Sequence, residues 1–235
     1  MNKIITLTLL LSVILLPKTH SQQGWGIGID YFPNISVESS DQRAGAGSKF
    51  SNSIGIFASR ELSRRLAVTG GVNFSNTGHK TGPNALRWGT QHDGQGGFDP
   101  DADPQEDITF IYNYYHLEAP VKLLYTFIDK KFRCYVSAAA VPRLHLANQS
   151  KWEVASSVSG TTENEIDDPV SYRALTVGFQ SGIGIARQIL GRHSLFLEPR
   201  VQFNPVRGEL RGRTVKGEYV SYGLALGVKL DLMNE

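Results

Sequence analysis

Apolar and polar residues alternate with a period of two through eight stretches of the chain: 24–33, 51–60, 66–76, 108–127, 132–147, 171–187, 193–204 and 218–232. Such alternation is what a strand shows when its two faces meet different surroundings. The last stretch is the clearest. Val220, Tyr222, Leu224, Leu226, Val228, Leu230 and Leu232 form one face, and Ser221, Gly223, Ala225, Gly227, Lys229 and Asp231 the other. Residues 193–204 set Leu195, Leu197, Val201 and Phe203 against Glu198, Arg200, Gln202 and Asn204. Residues 171–187 set Leu175, Val177, Phe179, Ile183 and Ile185 against Thr176, Gly178, Gln180, Gly182 and Gly184, and residues 24–33 set Trp25, Ile27, Ile29 and Tyr31 against Gly26, Gly28 and Asp30. No stretch carries a helical period, so the pattern predicts an all-β fold.

Alternation does not say which face points inward. In a soluble, lipocalin-like ligand-binding barrel the apolar set lines the interior; in a membrane barrel it meets lipid around a polar lumen. The polar set here is rich in Gly, Ala and Ser, which fit a narrow lumen and cover a water-facing exterior poorly. Several stretches exceed the roughly 9–11 residues that a tilted strand needs to cross a bilayer. Aromatics gather near the ends of the apolar faces, Trp25, Phe127 and Phe132 toward one rim and Tyr31, Phe74, Tyr115, Phe203 and Tyr222 toward the other, as rings settling at headgroup depth do. The connections 61–65, 128–131 and 188–192 are short, while 34–50, 77–107, 148–170 and 205–217 are long. Their strict alternation puts every long loop at one end. The sequence therefore predicts an eight-stranded antiparallel up-and-down transmembrane β-barrel, its closure removing edges that hydrocarbon cannot solvate.

The start of the chain reads as an export signal. Lys3 precedes the apolar run 4–16, and Thr19 and Ser21 are small residues suited to cleavage before Gln22. The run is short of the roughly 20 residues of a membrane-spanning helix. Residues 1–21 are thus expected to be a signal peptide and 22–235 one barrel domain. Removing Lys3 and Lys18 equalises basic and acidic residues, and a neutral chain without a basic run gives no electrostatic case for nucleic acid. Cys134 is the one cysteine, which precludes an intramolecular disulfide, and its parity puts it on the apolar face with Val136 and Ala138.

The segment Tyr114-Tyr115-His116-Leu117-Glu118-Ala119-Pro120-Val121-Lys122 resembles the Tyr-Leu-Glu-Ile-Pro-Leu-x-x-Lys stretch of the PorT-like outer-membrane β-barrel family of Bacteroidetes. The run 222–230 is similar to that family's closing, glycine-alternating strand. The end departs from the common outer-membrane pattern, with Leu232-Met233-Asn234-Glu235 in place of a terminal aromatic. The resemblance implies an outer-membrane location; only the PorT branch is linked to protein secretion.

The inward face carries ionisable residues deep in the strands: Asp30, Glu118, Lys122, Arg143, His145, Glu198, Arg200, Lys229 and Asp231. Side chains nearly fill an eight-stranded lumen, and an unpaired buried charge is costly there, so a structural, salt-bridged plug is expected. Glu118 with Lys122 and Glu198 with Arg200 are close enough in sequence to pair locally. Pro120 marks a bulge or an edge. Asp99, Asp101 and Asp103 have the spacing of a calcium loop, but Pro104 and Phe110 occupy the positions that need Gly and Glu, so no metal is assigned. A small lipid-modifying enzyme is the rival class. It needs a Ser–His pair at a rim, whereas His79, His92, His116, His145 and His193 are scattered. No catalytic, cofactor-binding or metal-binding residue is expected. The expected partners are outer-membrane lipid, the barrel-insertion machinery and an extracellular or envelope partner that meets the long loops, with binding or secretion-related roles carried by those loops.

Overall fold

The computed structural model describes residues 24–38, 46–85, 106–156, 160–166, 171–172, 174–190, 193–210 and 213–232. Eight antiparallel strands follow one another around a closed ring. They are β1 (Trp25–Glu38), β2 (Lys49–Glu61), β3 (Leu66–Ala85), β4 in two halves (Glu106–Glu118 and Val121–Asp129), β5 (Arg133–Ser156), β6 (Leu175–Leu190), β7 (His193–Leu210) and β8 (Arg213–Asp231). Each pairs with its neighbour in sequence. β1 closes the ring on β8 through a ladder from Gly26↔Asp231 to Glu38↔Tyr219. Short pieces extend it: Ala46–Gly47 against β3, Gly160–Ile166 against β5 and Ser171–Tyr172 against β7. No helix among the described residues is long and apolar enough to cross a membrane.

The interruption in β4 falls at Ala119-Pro120. Proline has no N–H to donate to a ladder, so a central strand cannot run through it unbroken. The neighbours bridge the gap: Gly71 N donates to Pro120 O at 3.2 Å, and Ala119 N donates to Pro142 O at 2.9 Å. Both halves stay between β3 and β5, so the ring keeps eight staves.

The side-chain pattern is inverted relative to a water-soluble protein. Ile29, Ile56, Phe179 and Ile183 are each more than half exposed, and they belong to a continuous apolar exterior that includes Val72, Val136, Leu226 and Val228. The buried set is mostly polar: Asp30, Asn34, Ser51, Ser53, Asn73, Ser75, Gln180, Gln202, Asn204 and Ser221. Water would penalise such an exterior, and hydrocarbon covers it without cost. Tyr31 corrects the expected girdle. It faces out, but it lies mid-strand, level with Ile54 and Leu226, six residues from the short-turn end of β1.

Glycines let aromatic rings lie flat on the wall of the lumen. Phe57 crosses Gly28, Phe196 crosses Gly227, and Tyr135 crosses Gly184, each pair directly opposite in register. A methyl group at Gly184 would overlap the Tyr135 phenol. Gly184→Ala is therefore expected to cost about 1–3 kcal/mol, as overpacking does. Urea unfolding of the barrel in phospholipid vesicles measures this, and an unchanged midpoint would contradict the packing described.

All four long connections are shorter than the sequence suggests, the first because β1 runs on to Glu38 and β2 begins at Lys49. Residues 205–210 and 213–217 form a ladder that continues from Asn204↔Tyr219 to Leu210↔Arg213, β3 runs on to Ala85, and the hairpin of β5 with residues 160–166 pairs from Ser150↔Ile166 to Ser156↔Gly160. These segments stand beyond the lipid belt, where the outward face meets water. An apolar face is not required there, so the alternating signature disappears while the backbone ladder persists.

Candidate functional site

Asp30, Glu118, Arg143, Glu198 and Arg200 are buried inside the ring, Lys122 reaches Glu198 there, and Lys229 pairs with Asp231; these side chains fall into stacked networks. Arg143 and Glu118 occupy the middle. Arg143 is fully buried and Glu118 almost so. Arg143 Nε donates to Glu118 Oε1 at 2.9 Å, and Arg143 Nη2 donates to Thr77 Oγ1 at 3.2 Å and lies 3.1 Å from His116 Nδ1. Glu118 Oε1 also accepts from Ser75 Oγ at 2.8 Å and from Gln202 Nε2 at 3.2 Å. Gln202 continues to Asn204, and Asn204 to Ser221. The middle of the barrel is thus crossed by one hydrogen-bonded layer drawn from β3, β4, β5, β7 and β8.

Toward the short-turn end lies a second layer centred on Glu198. Lys122 Nζ donates to both of its oxygens, at 3.1 and 3.3 Å; Tyr135 OH and Ser137 Oγ donate at 3.0 and 3.1 Å. Arg200 Nε donates to Glu198 at 3.1 Å and Arg200 Nη1 to Asp30 at 3.1 Å, with the guanidinium over the Phe32 ring. Lys229 and Asp231 pair at 2.6 Å nearer the opening, and there Arg133 meets Glu61 at 3.0 Å and Asp129 at 3.4 Å.

Of the two local pairings read from sequence, Glu198 with Arg200 forms and Glu118 with Lys122 does not. Glu118 stands directly opposite Arg143 in the β4–β5 register, whereas Lys122, beyond the break, stands opposite Ala139 and reaches across the lumen to Glu198. Cross-strand neighbours sit closer than residues four apart along one strand, so the facing charge wins. His145 is half-buried, its ring 5.3 Å from that of His116, beside a register shift between Tyr115 and His116.

Sequence reading missed several participants. Tyr135 and Ser137 have the inward parity of their strand, and that parity alone would have found them. His79 falls within the connection 77–107 that the sequence suggests. It is buried in β3, stacks on Tyr112 at 4.6 Å and Tyr219 at 5.5 Å, and lies 3.3 Å from Glu38. With Tyr114 and Val206 these rings form a third, aromatic layer toward the long-loop end. Asp99, Asp101 and Asp103 lie outside the described residues, as do His92 and residues 1–21. Among the described residues no cluster of three His, Cys, Asp or Glu side chains is arranged to hold a metal.

Below the Glu198 layer the lumen opens into a cavity of about 430 Å³. Its mouth is at the short turns, by Asp129, Lys130 and Lys131, and it reaches inward to Gln180 and Arg200.

No family model matches the chain, and no curated protein matches it in sequence. Among solved structures it is similar to AlkL in lipid bilayers (13% identity, TM-score 0.48, covering 93% of this chain and 94% of that one). It is also similar to OprG from Pseudomonas aeruginosa (10% identity, TM-score 0.46, covering 90% and 97%). A third likeness is to Neisserial surface protein A (13% identity, TM-score 0.43, covering 88% and 97%). AlkL and OprG are outer membrane proteins.

Proposed function

We propose that this chain is a non-enzymatic, integral outer-membrane barrel whose lumen is a structural plug and whose outer hairpins bind an envelope or extracellular partner. The observation that carries this reading is the asymmetry of the ladders. At one end the strands finish in short turns such as residues 62–65 and 130–132, while at the other they project past the lipid belt as paired hairpins, 204–210 with 213–219 and 150–156 with 160–166. Paired extensions hold connecting loops away from the membrane on a stiff support, which suits recognition. The resemblance of residues 114–122 to the PorT-like family supports a link to secretion, with residues 1–21 as the export signal and the barrel-insertion machinery as an obligatory partner. His79 and His116 are committed to stacking and to the Arg143 layer, which supports structural over catalytic roles for them.

Replacing 82–109 and 207–216 by short turns, which keeps Thr77, His79 and Val206, tests the assignment in cells lacking the native chain. The trimmed barrel is expected to insert, to migrate anomalously on unheated gels, and to leave the deletion phenotype uncorrected. If the trimmed barrel restores the wild-type phenotype, the function resides in the barrel wall or lumen and the proposal fails.

A further inference from the structure

The floor of the short-turn cavity has more buried donors than acceptors. Arg200 Nη2 and Gln180 Nε2 have no hydrogen-bond partner among the described residues, although Arg200 is 3% and Gln180 6% exposed. The two side chains are neighbours. Gln180 lies opposite Gln202 and Gly182 opposite Arg200, so Gln180 and Arg200 are one diagonal step apart on β6 and β7. Glycine at 182 lets the Glu198 side chain lie against the wall beside Arg200, since a methyl group there would meet it. Leaving two buried donors unmet is costly, so an acceptor must sit against them.

The local charge specifies what kind of acceptor. Arg200 and Lys122 are balanced by Asp30 and Glu198, all within one bonded network. A carboxylate or phosphate entering would add a third negative charge beside two carboxylates already satisfied, and burying an unbalanced charge is unfavourable. A neutral carbonyl or hydroxyl oxygen uses both donors without that penalty. The walls between floor and mouth combine hydroxyl and amide groups (Ser59, Thr69, Asn73) with the rings of Phe57 and Phe196, which meet edge to face at 5.9 Å. Aromatic faces beside fixed polar groups suit a compact molecule that has both C–H faces and oxygens. The volume of about 430 Å³ falls within the range of roughly 300–1,000 Å³ that ligand pockets occupy.

We propose that this cavity is a binding site for a neutral, oxygen-rich molecule of sugar size, entered from the short-turn end and held at its inner end by Arg200 and Gln180. This site is separate from the outer hairpins and stands whether or not they bind a partner.

Saturation-transfer NMR on the folded barrel tests it, in an amine-oxide detergent because sugar-headed detergents would compete. The probes are N-acetylglucosamine and glucose as neutral sugars, glucuronate as an anion and glucosamine as a cation. Transfer is expected to the neutral sugars, and affinity for glucuronate is expected to be at least tenfold weaker. Gln180→Leu keeps the volume and removes one donor, so it is expected to weaken binding by about threefold to tenfold, as loss of one hydrogen bond does. Thr69→Trp fills the cavity and is expected to abolish transfer while the unheated gel shift shows the barrel folded. Absence of transfer from either neutral sugar would mean the donors are met by water only and would overturn the proposal. So would glucuronate binding as well as glucose, or transfer unchanged in both variants.

Discussion

Arg143→Ala is expected to destabilise the barrel by about 3–5 kcal/mol, the range found when one member of a buried ion pair is removed. The guanidinium is completely buried and holds Glu118, Thr77 and His116 together from the centre of the lumen. Without it Glu118 keeps Ser75 and Gln202 as donors but loses its counter-ion in a site closed to water. The pair itself contributes less than this loss implies. Its desolvation is expensive, and Arg143 Nη1 has no partner among the described residues. The double variant Glu118→Gln with Arg143→Met is therefore expected to recover most of the stability and to unfold within about 2 kcal/mol of the wild type. Urea unfolding in phospholipid vesicles reads both values. A double variant as unstable as the single one would show that shape, not charge balance, governs the layer.

Ile56→Arg is the second large effect, expected to cost about 2–4 kcal/mol, whereas Phe50→Arg on the same strand and face is expected to cost about 0–1 kcal/mol. Both side chains are about two-thirds exposed, so burial within the protein does not distinguish them. Depth does. Ile56 lies five residues from the short-turn end of β2, near the middle of a belt about 25 Å tall, and Phe50 lies eleven residues away, at its outer limit. A soluble barrel predicts small costs at both positions, since replacing an exposed apolar residue with arginine in water costs little anywhere. Equal costs at the two positions would argue against a lipid-covered exterior.

The parts of this fold that were legible in sequence are those that touch two different media. Within the lipid belt, lipid demands apolar residues outside and the narrow lumen demands small or polar residues inside, so the period of two in 218–232 marks both the strand and its inward face. The same parity placed Asp30, Glu118, Lys122, Arg143, Glu198 and Arg200 inside. It did not reveal which charges pair, because pairing depends on cross-strand register and on the break at Pro120. Glu118 meets Arg143 because the β4–β5 register sets them opposite, and no local pattern in the sequence encodes that register. Beyond the belt the signal vanishes, so His79, a buried member of an aromatic layer, falls within the connection 77–107 that the sequence suggests. The cavity was also invisible in sequence. It exists because Gly28, Gly184 and Gly227 let the Phe57, Tyr135 and Phe196 rings lie against the wall, and because the β6–β7 register sets Gln180 one diagonal step from Arg200.

The central claim is that the alternating apolar face meets lipid all the way around a closed ring. Spin labels placed singly at 221, 222, 224, 225, 226 and 228, with the barrel in phospholipid vesicles and the native Cys134 replaced by Ser, test it most directly. Collisions with oxygen and with a water-soluble nickel chelate report what each position touches. Positions 222, 224, 226 and 228 are expected to show high oxygen and low chelate accessibility, with 221 and 225 low in oxygen. High chelate accessibility at the even positions, or no difference between even and odd, would contradict a membrane-spanning barrel with a polar interior.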